Sequence, residues 1–172
     1  MTSGTGTGSL SPTDPVGFDT HDHDDCISTA VASAEAFCTG NSLRFTPVRR
    51  KALEILLQEH RALGAYEMLD RLRDAGFGSQ PPVAYRALEF LVANGFAHKI
   101  ERLNAFIACA HPGANHSPAF LICRSCDNVA EAQSAPARGS LGDAARAVGF
   151  QIERTMVEAV GLCPSCAKSP TP

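Results

Sequence analysis

Two C-x-x-C pairs constrain this chain more than any other feature of its sequence. They are Cys123–Cys126 and Cys163–Cys166, and the two-residue spacer in each pair lets one tight turn point both sulfur atoms at a single ion. Four thiolates satisfy the tetrahedral preference of zinc and leave no open position, so the pattern predicts a closed structural site. Four reduced thiols without metal are the alternative. A thioredoxin-like redox pair fits less well, because neither pair opens a helix after a buried strand.

The composition and the first residues predict a soluble cytoplasmic protein. The chain has 172 residues, of which 44% are hydrophobic and 19% charged, as expected for one ordinary or two small globular domains. No apolar run approaches the ~18 residues of a membrane span, and MTSGTGTGSL lacks the features of a secretory signal. In a reducing compartment, seven cysteines favour metal over disulfides. Cys26 and Cys38 lie in a predicted helix and are interpreted as core or chance cysteines.

The charge is divided unevenly along the chain. Residues 43–102 carry ten basic and seven acidic side chains, whereas the rest of the chain carries five basic and eleven acidic ones. A weakly basic module is thus joined to an acidic one. This distribution permits DNA binding by the first module without requiring it.

The two ends of the chain are predicted to be tails. Residues 1–24 consist mostly of small, polar and acidic residues with almost nothing to bury, which is typical of a disordered acidic tail. His21 and His23 in this tail could contact metal, but a solvated tail is favoured because no scaffold fixes ligand geometry. Residues 168–172 form a second short tail.

Periodicity and capping signals predict four helices followed by a hairpin. The helices run from Asp25 to Phe37, from Pro47 to about His60, from Tyr66 to Asp74 and from Ser79 to Asn94. Two strands, Phe96 to Arg102 and Ala105 to Ala110, follow around a turn. This order indicates a winged helix, a variant of the helix-turn-helix. We expect a winged-helix DNA-binding domain at 25–104 and a hinge segment at 105–118.

The remaining residues predict a second, smaller module of strands and one helix. Strands are expected from Ala119 to Cys123 and from Asn128 to Ala132, a helix near 141–148, and a long strand from Phe150 to Val160. The predicted fold class is α+β, with a small α/β domain at 119–167 that contains the structural four-cysteine zinc site.

A second set of candidate metal ligands is less evident from spacing. His98 lies in the first predicted wing strand, Cys109 at the end of the second, His116 in the connecting segment and Glu131 after the first C-x-x-C turn. Their spacing alone does not define a site, since it constrains geometry only loosely. A surface histidine and a small buried cysteine are the alternatives.

Five segments follow one another in a fixed order along the chain. They are P-P-V-A-Y-R-A-L-E-F-L at 81–91, G-F-A-H-K-I-E at 95–101, F-I-A-C at 106–109, H-S-P-A-F-L-I-C-R-S-C at 116–126 and G-L-C-P-S-C at 161–166. Over about residues 26–166 the chain resembles the ferric uptake regulator superfamily, and specifically its zinc uptake regulator branch. The resemblance implies a homodimeric winged-helix repressor that binds operator DNA when its sensing site holds metal, with one structural and one regulatory zinc ion per subunit. It also implies that 105–118 contain the sensor-site segment and that 119–167 form the dimerisation domain.

The resemblance also implies the regulatory ligands, which fall on His98, Cys109, His116 and Glu131. Cys109 is the discriminating residue. One thiolate, two imidazoles and one carboxylate suit tetrahedral zinc, whereas sites made only of nitrogen and oxygen suit iron or manganese. His111 lies two residues after Cys109 and competes with His116 for the role of ligand.

DNA contacts are expected from the helix that starts near Pro81. It presents Tyr85 and Arg86 close to its N-terminal end, where a recognition helix meets the groove, and Arg86 could bind a guanine edge or a phosphate. Tyr66 and Lys99 are candidate phosphate contacts. A core tyrosine and solvated charges are the alternatives.

Together these features predict a zinc-responsive transcriptional repressor of zinc uptake genes that is not an enzyme. It is expected to bind double-stranded operator DNA as a dimer, with one or two dimers per operator. A sensor of iron, manganese or peroxide is the alternative within the same fold. A small zinc hydrolase using His98, Cys109 and His116, with Glu131 as general base, is the alternative from another class, and the absence of an H-E-x-x-H motif argues against it.

Overall fold

Four helices dominate the first half of the computed structural model, which describes residues 23–59, 61–78, 80–113, 117–135 and 138–168. The helices are α1 (His23–Gly40), α2 (Pro47–Gln58), α3 (Ala65–Asp74) and α4 (Pro81–Ala93). Helix α1 takes in the last two residues of the predicted tail. The rest of that tail, with His21, and the predicted ligand His116 lie outside the described residues.

Proline and glycine set the ends of the helices, as the sequence predicts. Pro47 opens α2 after Thr46, whose backbone is extended, and prolines occupy the first turn of α4. Both positions tolerate proline because the first N–H groups of a helix have no partner within it. Helix α4 ends in a Schellman motif, in which Gly95 adopts a φ of 73° and the N–H of Phe96 donates to the Leu91 carbonyl at 2.9 Å.

The inner faces of the four helices share one apolar core. Its most deeply buried large side chains come from α2, α3, α4 and the short strand between α2 and α3: Leu56, Leu63, Met68, Leu72, Leu88 and Leu91. Cys38 of α1 also lies in this core, which confirms its interpretation as a core cysteine. Because α4 packs through one stripe, its opposite face is left at the surface.

A three-stranded antiparallel sheet forms the wing, and it combines a short strand between α2 and α3 with the hairpin after α4. Its strands are β1 (Leu63–Gly64), β2 (Ala97–Ile100) and β3 (Ala105–Ala108), in the order β1-β3-β2. The predicted hairpin is confirmed, although both strands are shorter than expected and β1 was not predicted. Since β3 pairs with both other strands, the predicted domain border at residue 104 divides the hairpin, and 105–108 belong to the wing rather than to a hinge.

A second sheet has the order β5-β4-β6, with β4 at its centre. The strands are β4 (Ser117–Cys123), β5 (Val129–Ser134) and β6 (Val157–Gly161), and β6 runs parallel to β4. Helix α5 (Ser140–Ala147) precedes β6, and α6 (Pro164–Lys168) follows it. The predicted long strand from Phe150 is wrong in its first part. Pairing with β6 starts only at Ala119 of β4, directly after Pro118, which has no N–H for a strand ladder.

The two sheets contact each other through a small apolar cluster. Ile100 and Ile107 of the wing pack with Phe120, Ile122 and Val129 of the second sheet, and all five side chains are buried. The wing is therefore fixed against the second sheet by packing as well as by the polar groups described below. Among the described residues, no helix is both long and apolar enough to cross a bilayer.

Candidate functional site

The four cysteines of the C-x-x-C pairs converge at one end of the second sheet. Their sulfur atoms all lie within 4.8 Å of one another, and the Sγ atoms of Cys126 and Cys163 are 3.8 Å apart. The parallel register of β4 and β6 pairs Cys123 with Gly161, which brings the turn after β4 beside the residues that lead into α6. Sequence spacing predicts each pair, and the strand register brings the two pairs together.

The local environment gives these four thiols different pKa values. The Cys163 N–H donates to Cys123 Sγ at 3.3 Å, and this bond, with others from the turn, lowers the Cys123 pKa to about 6. Although the Asn128 N–H opposes it, burial together with the neighbouring sulfur groups raises the Cys126 pKa to about 12. The hydrogen bond with Cys163 raises the Cys166 pKa. A cation at the centre would favour deprotonation of all four sulfur atoms.

A second cluster joins the wing to the second sheet. It consists of His98 on β2, Cys109 directly after β3 and Glu131 on β5, which are 7%, 4% and 2% exposed. One ligand atom from each residue lies within 4.8 Å of the others, and His98 Nε2 is 3.5 Å from Glu131 Oε1. The other carboxylate oxygen of Glu131 accepts from the Ala110 N–H at 2.9 Å. Three of the four predicted regulatory ligands are thus adjacent.

Local backbone structure fixes Cys109 in this cluster. Its N–H donates to the Phe96 carbonyl at 2.9 Å, which continues the β2–β3 pairing by one residue. Burial raises the pKa of the Cys109 thiol to about 12, and the negative charge of Glu131 acts in the same direction, while a backbone hydrogen bond from His111 opposes them. The sulfur is therefore a protonated thiol at neutral pH until a cation displaces its proton.

The structure describes only one of the two candidates for the fourth ligand. His116 lies outside the described residues, whereas Gly113 and Ser117, which flank the undescribed residues 114–116, line the same cleft as His98. His111 is described and is not part of the cluster of His98, Cys109 and Glu131. The assignment of His116 as the fourth ligand therefore stays a prediction.

The predicted DNA contacts lie on three different elements. Tyr66 at the start of α3 is 69% exposed, and Tyr85 near the start of α4 is 39% exposed. Arg86 follows it and is exposed. Lys99 on β2 places its Nζ 2.8 Å from a carboxylate oxygen of Glu101. Neither tyrosine is a core residue, and the start of α4 presents one aromatic and one cationic side chain to solvent.

Two contacts between the halves have no signal in the sequence. Glu158 of β6 accepts hydrogen bonds from the N–H groups of Glu101 and Arg102 in the wing turn, and Arg61 forms an isolated antiparallel bridge with Asn128, just after the first C-x-x-C turn. Both depend on tertiary placement of residues far apart along the chain, which spacing does not reveal.

The donor sets of the two clusters fit zinc. Four sulfur atoms without an open position are typical of a structural zinc site. A thiol, an imidazole and a carboxylate are also zinc ligands, and the sulfur favours zinc over magnesium, calcium or manganese. The described residues contain these two groups of three or more such side chains and no others, and both groups include cysteine.

Comparisons with known proteins agree with these donor sets. No protein-family model matches the chain. The zinc uptake regulation protein of Escherichia coli (strain K12) is 34% identical over 139 residues, which cover 80% of this chain and 81% of that protein. A solved structure of a zinc uptake regulator complexed with zinc and DNA has a TM-score of 0.77 and 34% identity, and the match covers 83% of this chain and 95% of that one.

The structure of holo XcZur has a TM-score of 0.72 and 42% identity, over 82% of this chain and 99% of that one. The likeness therefore extends over most of the chain, at identities of 34 to 42%. On this basis the chain belongs to the zinc uptake regulator branch of the ferric uptake regulator superfamily.

Proposed function

We propose that this protein is a zinc-responsive, DNA-binding transcriptional repressor of zinc uptake genes. The observation that carries the proposal is the cluster of His98, Cys109 and Glu131, which joins the wing of a DNA-binding module to the second sheet. A relative with 34% identity and the same fold is solved in complex with zinc and DNA. Binding chromosomal operators requires that the protein act in the cytoplasm.

The regulatory response rests on side chains from both halves. His98 and Cys109 come from the wing, Glu131 comes from the second sheet, and His116 is the proposed fourth ligand from the segment between them. A bound zinc ion supplies a positive charge that these buried donors share. With the donors held together, the wing and α4 keep one orientation relative to the second sheet. Favouring that orientation by about 1 to 3 kcal/mol changes DNA occupancy by one to two orders of magnitude.

The four cysteines Cys123, Cys126, Cys163 and Cys166 are proposed to bind the second zinc ion of each subunit. Their site connects the end of β4 to the start of α6 and thus holds the second module together. Because four protein ligands leave no exchangeable position, we assign this ion a structural role. The response to zinc belongs to the other cluster.

A homodimer is proposed to place two copies of α4 on one operator. The second module carries exposed apolar side chains on α5, on the segment after it and around β6: Leu141, Val148, Phe150, Val160 and Leu162. Strand β6 is also an edge strand of its sheet. A second copy of this module covers such a surface, and the dimer then spaces its recognition helices by about 34 to 36 Å, the distance between successive major grooves.

DNA contacts are proposed for four side chains at the surface of the first module. Tyr85 and Arg86 lie in the second turn of α4, where they are proposed to reach base edges or phosphates. Tyr66 and Lys99 are proposed to contact DNA phosphates on either side of α4. We place the DNA-binding module at residues 23–108 and the dimerisation module at 117–168, and both one and two dimers per operator fit this arrangement.

The two alternative functions are less well supported by the structure. An iron, manganese or peroxide sensor does not require a cysteine ligand, whereas Cys109 lies within the cluster. A hydrolase needs a general base that is free to act on water. Glu131 instead lies among the ligand atoms, with its second oxygen accepting from Ala110. The relatives are regulation proteins, and we conclude that the protein is not an enzyme.

A mobility-shift titration tests the proposed function. The probe is upstream DNA of a zinc transporter gene, and free zinc is varied with a metal buffer. Wild-type protein is expected to shift the probe only as zinc rises, and His98→Ala is expected to lose the shift. Binding by wild type that does not depend on zinc, or no binding at any zinc concentration, contradicts the proposal. Sedimentation analysis of the same samples tests the dimer.

A further inference from the structure

Glu158 connects the second sheet directly to the turn of the wing. Its Oε1 accepts from the N–H of Glu101 at 2.8 Å, and its Oε2 accepts from the N–H of Arg102 at 3.2 Å. Both donors are backbone groups in the four-residue turn between β2 and β3. One carboxylate thus pairs with two successive N–H groups, an arrangement that binds anions well. We call these two hydrogen bonds the Glu158 contact.

The strand register explains why Glu158 reaches the wing. Glu158 lies opposite Phe120 in the parallel pairing of β6 with β4. Phe120 belongs to the apolar cluster that packs against Ile100 and Ile107 of the wing. Packing between the sheets therefore holds the wing turn close to β6, and the carboxylate fixes the position of the turn. Apolar packing does not by itself fix the orientation of the wing turn, whereas the hydrogen bonds of the Glu158 contact require a defined orientation.

The Glu158 contact is distinct from the link at the metal cluster. Glu131 also joins the halves through a backbone N–H, that of Ala110, but its other oxygen lies beside His98. Glu158 is not a member of either group of potential metal ligands. Its partners are backbone donors, which are present whether or not zinc is bound. The contact can therefore form in the absence of the regulatory ion.

We propose that Glu158 is a positioning residue that favours the DNA-binding arrangement of the wing independently of zinc and so lowers the free zinc concentration at which the protein binds DNA. This inference rests on the proposed function. Suppose that zinc and DNA both bind the arrangement in which the wing is fixed. The apparent zinc affinity is then lower when a smaller fraction of the molecules is already in that arrangement. Saturating zinc restores the same final state.

Loss of the contact therefore has a specific signature. In Glu158→Ala the free-zinc midpoint of DNA binding is expected to rise about three- to tenfold, the effect of hydrogen bonds to a charged acceptor at a partly exposed position. DNA affinity at saturating zinc is expected to stay within about twofold of wild type. Glu158→Gln keeps the shape and one acceptor oxygen, and an intermediate midpoint is expected. A general folding defect instead lowers the active fraction at every zinc concentration.

Amide hydrogen exchange provides a readout without DNA. In zinc-depleted full-length protein, the N–H groups of Glu101 and Arg102 are expected to exchange about three- to tenfold faster in Glu158→Ala than in wild type. Asp143→Ala removes an exposed carboxylate from α5, away from both metal clusters, and serves as the control. It is expected to match wild type in both measurements. Light scattering checks that the oligomeric state is unchanged. If Glu158→Ala alters the oligomeric state, Glu158→Gln replaces it in both measurements.

The outcomes separate this inference from the proposed function. Faster exchange with a raised zinc midpoint supports it. Unchanged exchange at both amides, or faster exchange with an unchanged midpoint, overturns it. If wild type shows no zinc-dependent DNA binding, the proposed function fails and the zinc set-point role of Glu158 fails with it, while the exchange data still decide whether the contact exists in solution.

Discussion

Nε2 of His98 lies 3.5 Å from Oε1 of Glu131, at a point where the wing meets the second sheet. Both side chains are almost fully buried, so each depends on polar partners from the opposite half of the molecule. A change in the relative position of the two sheets must alter this pair. Conversely, any ligand that draws the pair together acts on the orientation of the wing.

Substitution of Cys109 by serine is expected to reduce the zinc content from the proposed two ions per chain to one. A serine hydroxyl keeps its proton at neutral pH and is a poor zinc ligand, whereas the thiol can be deprotonated by the bound ion. We expect the regulatory affinity to fall by at least about a hundredfold. Metal analysis after equilibration with a chelator of intermediate affinity measures the change.

Cys38→Ala is the matched control, because Cys38 is also a buried cysteine but lies in the first core. This variant should retain two zinc ions. If Cys109→Ser still binds two zinc ions with wild-type affinity, Cys109 is not a ligand and the regulatory site consists of other residues.

Substitution of Cys163 by serine is expected to unfold the second module at temperatures where the first remains helical. Cys163 is buried at the centre of the four-sulfur cluster, and loss of a structural metal typically costs more than about 4 kcal/mol. Thermal unfolding followed by circular dichroism should show an additional early transition. Ser165→Ala changes an exposed residue between Cys163 and Cys166 and should unfold like wild type. Equal stability of Cys163→Ser and wild type is incompatible with a structural ion there.

The helices of the first module could be predicted to within a few residues because their end signals are local. Pro47 and Pro81 each open a helix, and Gly95 closes one through its positive φ. The length of β6 could not be predicted in this way. Hydrophobic residues continue upstream of Val157, but β4 pairs with β6 only from Ala119 onward. Strand length depends on the neighbouring strand, which local sequence does not specify.

The same distinction separates the two metal clusters. Each C-x-x-C pair is a local signal, so the four sulfur ligands could be identified from spacing. His98, Cys109 and Glu131 come from β2, the end of β3 and β5, and only the packing of two sheets makes them neighbours. Resemblance to a family was needed to group them. Glu158 belongs to no motif, and its contact with the wing turn depends on the register of β6 and on packing between the two sheets.

Stability is expected to depend on pH through the pair of Arg61 and Glu67. Arg61 donates to both carboxylate oxygens of Glu67, and this hydrogen bonding holds the Glu67 pKa below its ordinary value of 4.5. A carboxyl group with a lowered folded-state pKa stabilises the protein fully above the unfolded-state value. This contribution is lost as the pH falls from about 4.5 through the folded-state pKa.

Glu67→Gln should therefore lower Tm by about 1 to 3 °C at pH 7, a small effect because both side chains are about one third exposed. The difference from wild type should shrink as the pH falls below about 4.5. Calorimetry at pH 7, 5 and 3.5 measures it, with Glu89→Gln as the exposed control. A difference that grows toward low pH contradicts the assigned pKa direction.

Substitution of Arg86 by alanine is expected to weaken operator binding at saturating zinc by about ten- to a hundredfold. The guanidinium is exposed near the N-terminal end of α4, where a bidentate bond to a guanine edge contributes about 1 to 3 kcal/mol. A base contact also predicts reduced discrimination between operator and unrelated DNA. A phosphate contact predicts uniform weakening and a shallower dependence on salt. Fluorescence anisotropy on both DNAs at several salt concentrations separates the two roles.

The matched control is Arg146→Ala, which removes an exposed arginine from α5 in the second module. It should bind DNA like wild type, because α5 lies outside the proposed DNA-binding module and carries none of its contact residues. Zinc content should remain two ions per chain in both variants, since neither arginine belongs to a metal cluster. Wild-type affinity in Arg86→Ala rules out this contact while leaving the zinc response intact. Equal weakening in both variants instead indicates a general electrostatic attraction and excludes Arg86 as a specific contact.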